Sequence, residues 1–348
     1  MLVWRLTDLQ VEMKRVKTRV DDFILDRLLP KSSSIREVNL LYTMMRDYPM
    51  RQAKGMRPFL CVTTCRAAGG TEDDALLTAS CIELFQNWIL IHDDIEDGSE
   101  LRRGEPALHR KYNEALALNA GDALHARTWE AILMNKPRLG PERTFAVMEE
   151  FSHMVNETTE GQHMELGWVV EGRWDLSEKD YYEMCTRKTS WYTVASPCRL
   201  GALVAGEGGP ALGLLREFGV SLGIAFQIQD DSLNLMGDEK KYGKVKSDDI
   251  LEGKRTLILL HLLAVANQSE RDRVISIMNK KREAKTAGDV SYVLSLIEKY
   301  DAIGFARKRS TELMKEALTT LDGIRWKGDR DASEMLRSFA RFAVEREW

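Results

Sequence analysis

Apolar residues recur at intervals of three and four along most of this chain, and that period is the strongest constraint on its fold. Leu76, Leu77, Cys81, Leu84, Phe85, Trp88 and Ile91 form one such stripe, the pattern of a helix with one buried face. Thr71, Glu72, Asp73 and Asp74 open it, a capping residue followed by acids where a helix start favours them. Segments 141–168, 178–205, 211–236 and 288–322 read the same way. Alternating apolar–polar runs closed by Asn-Gly or Asp-Gly are scarce, so strands have little support. Proline is confined to positions up to Pro210, mostly at breaks in the apolar pattern. The expectation is an all-α protein of about a dozen helices. With no repeat and no linker-like segment, one helical domain spanning 1–348 is expected.

Composition removes several functions. The 348 residues carry 50 basic and 54 acidic side chains, a net charge of −4, which argues against bulk affinity for nucleic acid or an acidic membrane. The longest apolar stretch, Leu257 to Ala266, contains His261 and falls far short of the roughly 20 residues that span a bilayer. The first residues lack the pattern of a secretory leader. Five cysteines without a Cys-x-x-Cys pair argue against a disulfide framework or a thiolate zinc site. No His-Glu-x-x-His supports a zinc hydrolase. A cytoplasmic protein with no transmembrane segment and no nucleic-acid partner is expected.

The chemistry lies in two similar segments. The first is Asp93-Asp94-Ile-Glu-Asp97-Gly98, followed by Arg102-Arg103; the second is Phe226-Gln227-Ile-Gln-Asp230-Asp231, followed by Asn234. Residues i and i+4 share a helix face, so Asp93 pairs with Asp97, and Asp230 with Asn234. Acids at a helix C-terminus oppose the macrodipole by about 0.3–1 kcal/mol each. Two such clusters, each behind an apolar helix, call for a counter-charge. Oxygen ligands suit a hard cation such as Mg²⁺, which completes its shell with water and substrate phosphates. A metal-bridged diphosphate is the reading these residues suggest.

The order of motifs from Lys54 to Thr256 resembles the trans-isoprenyl diphosphate synthases, the family of farnesyl and geranylgeranyl diphosphate synthases. The resemblance implies an isoprenoid-synthase-type helical bundle around a central substrate cavity. It also implies Mg²⁺, about three ions per site, held by Asp93, Asp97 and Asp230. Ala53-Lys54-Gly55-Met56-Arg57-Pro58 resembles the segment that binds the diphosphate of isopentenyl diphosphate, with Gln86 and Arg103 as further groups for it. A Lys and an Arg three apart meet on one helical face, where Arg can grip phosphate bidentately. Arg102 falls to the allylic diphosphate. Lys188, Lys244 and Lys254 fall to its departing diphosphate, and Thr189 and Gln227 to the carbocation and the proton it loses. A phosphate-loop reading of Gly237 to Lys244 fails, because the spacing is one residue too long and Val245 replaces the metal-binding hydroxyl.

By the same resemblance, Trp88, Ile89 and Phe85 form the floor that limits the growing chain. A large aromatic five residues before the first motif resembles geranylgeranyl diphosphate synthases of archaeal type, with farnesyl diphosphate as the alternative product. A homodimer is implied as well. Asn234 departs from the more common Asp, and Glu165 of Gly161-Gln162-x-x-Glu165 stands where Asp is common. Two other classes share features with the chain. A class I terpene cyclase should lack Lys54, Arg57 and Arg103, and a non-catalytic prenyl synthase partner subunit usually loses aspartates that are present here.

Overall fold

The computed structural model describes residues 6–51, 53–236 and 247–346. Helices dominate: α1 (Leu6–Phe23), α2 (Arg36–Met50), α3 (Met56–Ala67), α4 (Glu72–Glu96), α5 (Leu108–Lys111), α6 (Glu114–Leu133), α7 (Lys136–Val170), α8 (Glu178–Cys185), α9 (Ser196–Val204) and α10 (Pro210–Met236). Shorter and later helices include Asp248–Glu252, Leu257–Val265, Gln268–Met278, Ala287–Lys299, Ala302–Asp322 and Arg330–Glu345. The all-α expectation holds. Among the described residues the sole strand pair is Leu101–Arg102 against Glu105–Pro106.

The chain divides into two compact units. One comprises Met1–His153, Tyr192–Arg216 and Leu321–Phe339; the other comprises Met154–Trp191, Glu217–Thr320 and Ala340–Trp348. In the first, α4 packs against α1, α3, α6 and α9. Thr71 caps α4 as expected: its side chain accepts from Asp74 N–H, and the Asp74 carboxylate accepts from Thr71 N–H at 3.0 Å. Gly201 of α9 lets α3 approach, since a Cβ there would lie 2.2 Å from the Cys61 carbonyl. In the second unit, Leu257, Ile258, Leu259, Leu262 and Leu263 of the most apolar helix lie in a core with Tyr181, Ile224, Ile228 and Val293. All five cysteines are buried free thiols.

Segment 141–168 appears in the fold as read, and two other segments differ from the sequence expectation. The 141–168 segment belongs to α7, which is broken at Gly140 (φ 77°), so Pro141 begins its long regular part. Segment 178–205 is not one helix, because Thr186–Ala195 between α8 and α9 is π-helical. Segment 288–322 is two helices separated at Asp301, whose φ of 48° is left-handed. Asp tolerates that conformation, and neither Gly nor Pro marks the break. By length and composition alone α10 could cross a bilayer, but half of its most apolar window is buried within the protein, as in a core helix.

Candidate active site

The first aspartate motif forms the last turn of α4. A Schellman arrangement ends it: Gly98 is left-handed (φ 63°), and Ser99 N–H donates to the Asp94 carbonyl at 2.9 Å. Asp94 is fully buried. Its carboxylate accepts from Tyr48 Oη at 2.5 Å and from Arg102 Nε at 2.8 Å, with Arg102 Nη2 on the same group. Arg102 Nη2 also reaches Asp93 at 3.2 Å. Burial would lower the Arg102 pKa, but the Asp94 charge overrides it and holds the guanidinium above its usual value. Asp93 and Asp97 are half-buried. Thus Asp94 anchors the motif, while Asp93 and Asp97 keep exposed surface.

The arginine pair rides on the strand hairpin. Arg103 (φ 54°) and Gly104 (φ 80°) occupy its two central positions, both left-handed, the geometry of a type I′ turn. A left-handed Arg is uncommon and costs on the order of 1 kcal/mol or more. It lets Arg103 Nη1 donate to the Tyr48 carbonyl at 2.8 Å and to Asn87 Oδ1 at 3.4 Å. Arg57, at the start of α3, is buried: Nη2 donates to Thr193 Oγ1 at 2.9 Å, and the guanidinium stacks 4.2 Å over the Tyr192 ring. Lys54 is half-buried just before the left-handed Gly55, and Gln86 is half-buried on α4, one turn after Glu83.

The second motif repeats the plan of the first within its own unit. Asp231 is buried and accepts from Tyr181 Oη at 2.7 Å and Gln227 Nε2 at 2.7 Å. Burial pushes its carboxyl above the usual range, against the pull of those two donors. Asp230 is more exposed and accepts from Arg346 Nη2 at 2.6 Å. In both motifs the second aspartate is fixed beneath a tyrosine, and an arginine reaches the first. Thr189 Oγ1 donates to Gln227 Oε1 at 2.8 Å, extending the chain Tyr181–Asp231–Gln227–Thr189. Asn234 is buried; its carbonyl accepts from Ser247 N–H at 2.9 Å and its Oδ1 from Asp249 N–H at 3.2 Å. Asn234 thus anchors the backbone at Ser247 and Asp249.

Lys188 lies in the π-helical segment, where widened turns re-aim side chains and often mark functional sites. It pairs with Glu165. Gly161 makes room for it: a Cβ there would sit 2.1 Å from Lys188 N. Gly223 likewise admits Ser190, whose Cα would lie 2.4 Å from its Cβ. Lys254 pairs with Glu252 at 2.7 Å. Lys244 lies outside the described residues.

The expected floor residues are on α4. Phe85 is fully buried, meeting Trp88 edge-on at 5.2 Å and Tyr192 at 5.9 Å between ring centroids. Trp88 stacks on His125 at 4.1 Å, and His125 Nε2 accepts from Trp129 Nε1 at 2.8 Å. Burial lowers the His125 pKa, which suits an acceptor nitrogen. Ile89 is half-buried beside them.

Residues 38–297 match the polyprenyl synthetase family. The chain belongs to that family. It is 34% identical to a short chain isoprenyl diphosphate synthase of Methanothermobacter thermautotrophicus, over 84% of this chain and 86% of the relative. It is 32% identical to a geranylgeranyl diphosphate synthase of Sulfolobus acidocaldarius, over 84% and 87%. A crystal structure of geranylgeranyl pyrophosphate synthase from Corynebacterium glutamicum, complexed with isoprenyl diphosphate and magnesium, superposes with a TM-score of 0.85 at 26% identity, covering 97% of this chain and 99% of that one.

The chemistry of the aspartates expected to bind metal suits magnesium. Asp93, Asp97 and Asp230 are carboxylates with exposed surface, and among the described residues no three His, Cys, Asp or Glu side chains form a ready-made metal cage. A few carboxylates completed by water and phosphate oxygens is how Mg²⁺ is usually bound. Sequence reasoning did not find Tyr48, Tyr181, His125 or Trp129. Tyr48 and Tyr181 have no motif spacing to reveal them, whereas His125 and Trp129 are an i, i+4 pair on α6 and could have been read as one face.

Proposed function

We propose that the chain is a short-chain prenyltransferase that condenses isopentenyl diphosphate with allylic diphosphates and makes chiefly geranylgeranyl diphosphate. The observation that carries this reading is the repeated aspartate arrangement, in which each motif pins one carboxylate beneath a tyrosine and presents another. Asp93, Asp97 and Asp230 would hold about three Mg²⁺ together with the allylic diphosphate. Bound magnesium supplies Lewis-acid stabilisation of the charge that builds on the departing diphosphate.

The side chains do the rest. Arg102 and Lys188 bind the allylic diphosphate as its carbon–oxygen bond breaks and both electrons leave with the oxygen; Lys244 and Lys254 complete that set. Cations aimed at developing negative charge lower the barrier most where water is excluded. Lys54, Arg57, Gln86 and Arg103 hold isopentenyl diphosphate so that its double bond attacks the allylic cation. Thr189 and Gln227, fixed to each other at 2.8 Å, present oxygen dipoles toward the cation. The released diphosphate takes the proton lost from the new chain, which leaves a product five carbons longer.

Phe85, Trp88 and Ile89 limit the product, with His125 backing Trp88. Relatives named for geranylgeranyl diphosphate support that product over farnesyl diphosphate. Retention of both aspartate motifs and of Lys54, Arg57 and Arg103 favours an enzyme over a non-catalytic subunit. A cytoplasmic homodimer completes the reading, on the support of the family resemblance. The test is diphosphate release from geranyl diphosphate in the presence of Mg²⁺ and isopentenyl diphosphate. Asp93→Ala should abolish most of it, and near-normal turnover would remove the metal assignment.

A further inference from the structure

We propose that Lys17, on the N-terminal helix and far in sequence from every motif, is a positioning residue of the isopentenyl diphosphate site. The inference rests on the assignment of Lys54, Arg57 and Arg103 to that diphosphate. Lys17 is buried, and its stem packs beneath the turn that carries Lys54: a Cβ on Gly55 would lie 2.5 Å from Lys17 Cβ. Its ammonium donates to both oxygens of Asp21, one at 2.5 Å, and lies 3.5 Å from Glu83 Oε1.

Glu83 makes this placement consequential. It is 1% exposed, and among the described residues neither of its oxygens has a hydrogen-bond donor. Arg57 Nε and Arg103 Nη2 are likewise buried without acceptors among the described residues. Two carboxylates and two guanidinium groups thus share one weakly solvated region, as their mutual effects also show. Burial pushes the Asp21 carboxyl up to about 6, with Glu83 adding to the rise and Lys17 and Arg103 opposing it. Burial likewise lowers the Arg103 pKa, and Glu83 opposes that shift most.

Buried charges pair with whatever opposite charge is nearest. Lys17 supplies the counter-charge for Asp21 and Glu83. Arg57 and Arg103 are thereby kept out of internal ion pairs and retain donors for an incoming diphosphate. Without Lys17 the two carboxylates would draw on these arginines. The role is indirect, since Lys17 acts through the arginines and not by touching the substrate.

The test is calorimetric titration of isopentenyl diphosphate into the full chain in EDTA, which confines binding to the metal-independent cation site. Affinity should follow the net charge of the cluster. Lys17→Met should weaken binding roughly tenfold, Asp21→Asn should tighten it by about threefold, and the double variant, with the wild-type net charge restored, should return to within about threefold of wild type. Steady-state kinetics should show Lys17→Met raising KM for isopentenyl diphosphate while KM for the allylic substrate stays unchanged. Equal binding by wild type and Lys17→Met overturns the inference. So does a double variant as weak as Lys17→Met, because loss of packing alone would then explain both. If Lys17→Met does not fold, Asp21→Asn and the double variant still decide: no tightening in the first refutes the charge argument. Wild-type protein that binds no isopentenyl diphosphate in EDTA would refute the assignment of the site itself, a result distinguishable from the others.

Discussion

Tyr48→Phe isolates the anchor on which the first aspartate motif depends. The hydroxyl is buried, donates to Asp94 at 2.5 Å and accepts from Leu108 N–H at 3.0 Å. Burial and the Asp94 charge hold the phenol above its usual pKa, so it stays a donor at working pH. Removing it deletes a hydrogen bond to a charged group, worth about 1.5–3 kcal/mol, and strands a buried N–H at about 1–3 kcal/mol. Arg102 still holds Asp94, which limits the collapse, so a loss of roughly 3–4 kcal/mol is expected. Urea unfolding followed by far-ultraviolet circular dichroism measures it, and an unchanged slope would confirm that the native state alone is affected. A loss below about 1 kcal/mol would refute the argument, because Asp94 would then be held adequately without the phenol.

Three further perturbations test other parts of the account. Trp88→Ala removes the ring stacked 4.1 Å from His125; it should lengthen the product seen by chromatography and cost about 3–5 kcal/mol of stability, and an unchanged product would remove Trp88 from the floor. Gly161→Ala places a Cβ 2.1 Å from Lys188 N; it should lower kcat through displacement of Lys188 and leave KM for isopentenyl diphosphate unchanged. Asp21, raised to about 6 by burial, holds its proton more tightly folded than unfolded. Its contribution to stability is therefore full below its unfolded pKa and lost as pH rises through about 6. Melting temperatures across that window should fall less steeply for Asp21→Asn than for wild type, and identical slopes would contradict the raised value.

The helical class was legible because period and capping act locally: the helix and its Thr71–Asp74 box appear as read, though α4 is buried on nearly every side from Thr78 to Trp88 and not on one face alone. The motif residues were legible because their spacing is itself the signal. Other features depend on contacts distant in sequence. The hairpin at Arg103-Gly104 lacks the Asn-Gly or Asp-Gly signature, and its left-handed Arg is held by Tyr48, Asn87 and the strand pairing. Nothing in Thr186–Ala195 announces a π-helix; its path follows the close approaches at Gly161 and Gly223. Asn234 read only as a departure from the more common Asp, and in the fold its side chain accepts from the Asp249 backbone N–H. The resemblance set Asp93, Asp97 and Asp230 apart as ligands, but the anchoring of Asp94 and Asp231 became visible only with Tyr48 and Tyr181.

The central claim is that both aspartate motifs and the cations of the isopentenyl site serve one chain-elongation reaction. The most direct measurement incubates the purified chain with labelled isopentenyl diphosphate, Mg²⁺ and, separately, dimethylallyl, geranyl or farnesyl diphosphate, and resolves the products by chain length. The account predicts label in a twenty-carbon diphosphate from each primer, and none when Mg²⁺ is chelated. Absence of label in any prenyl product, or elongation that continues undiminished in chelator, would contradict it.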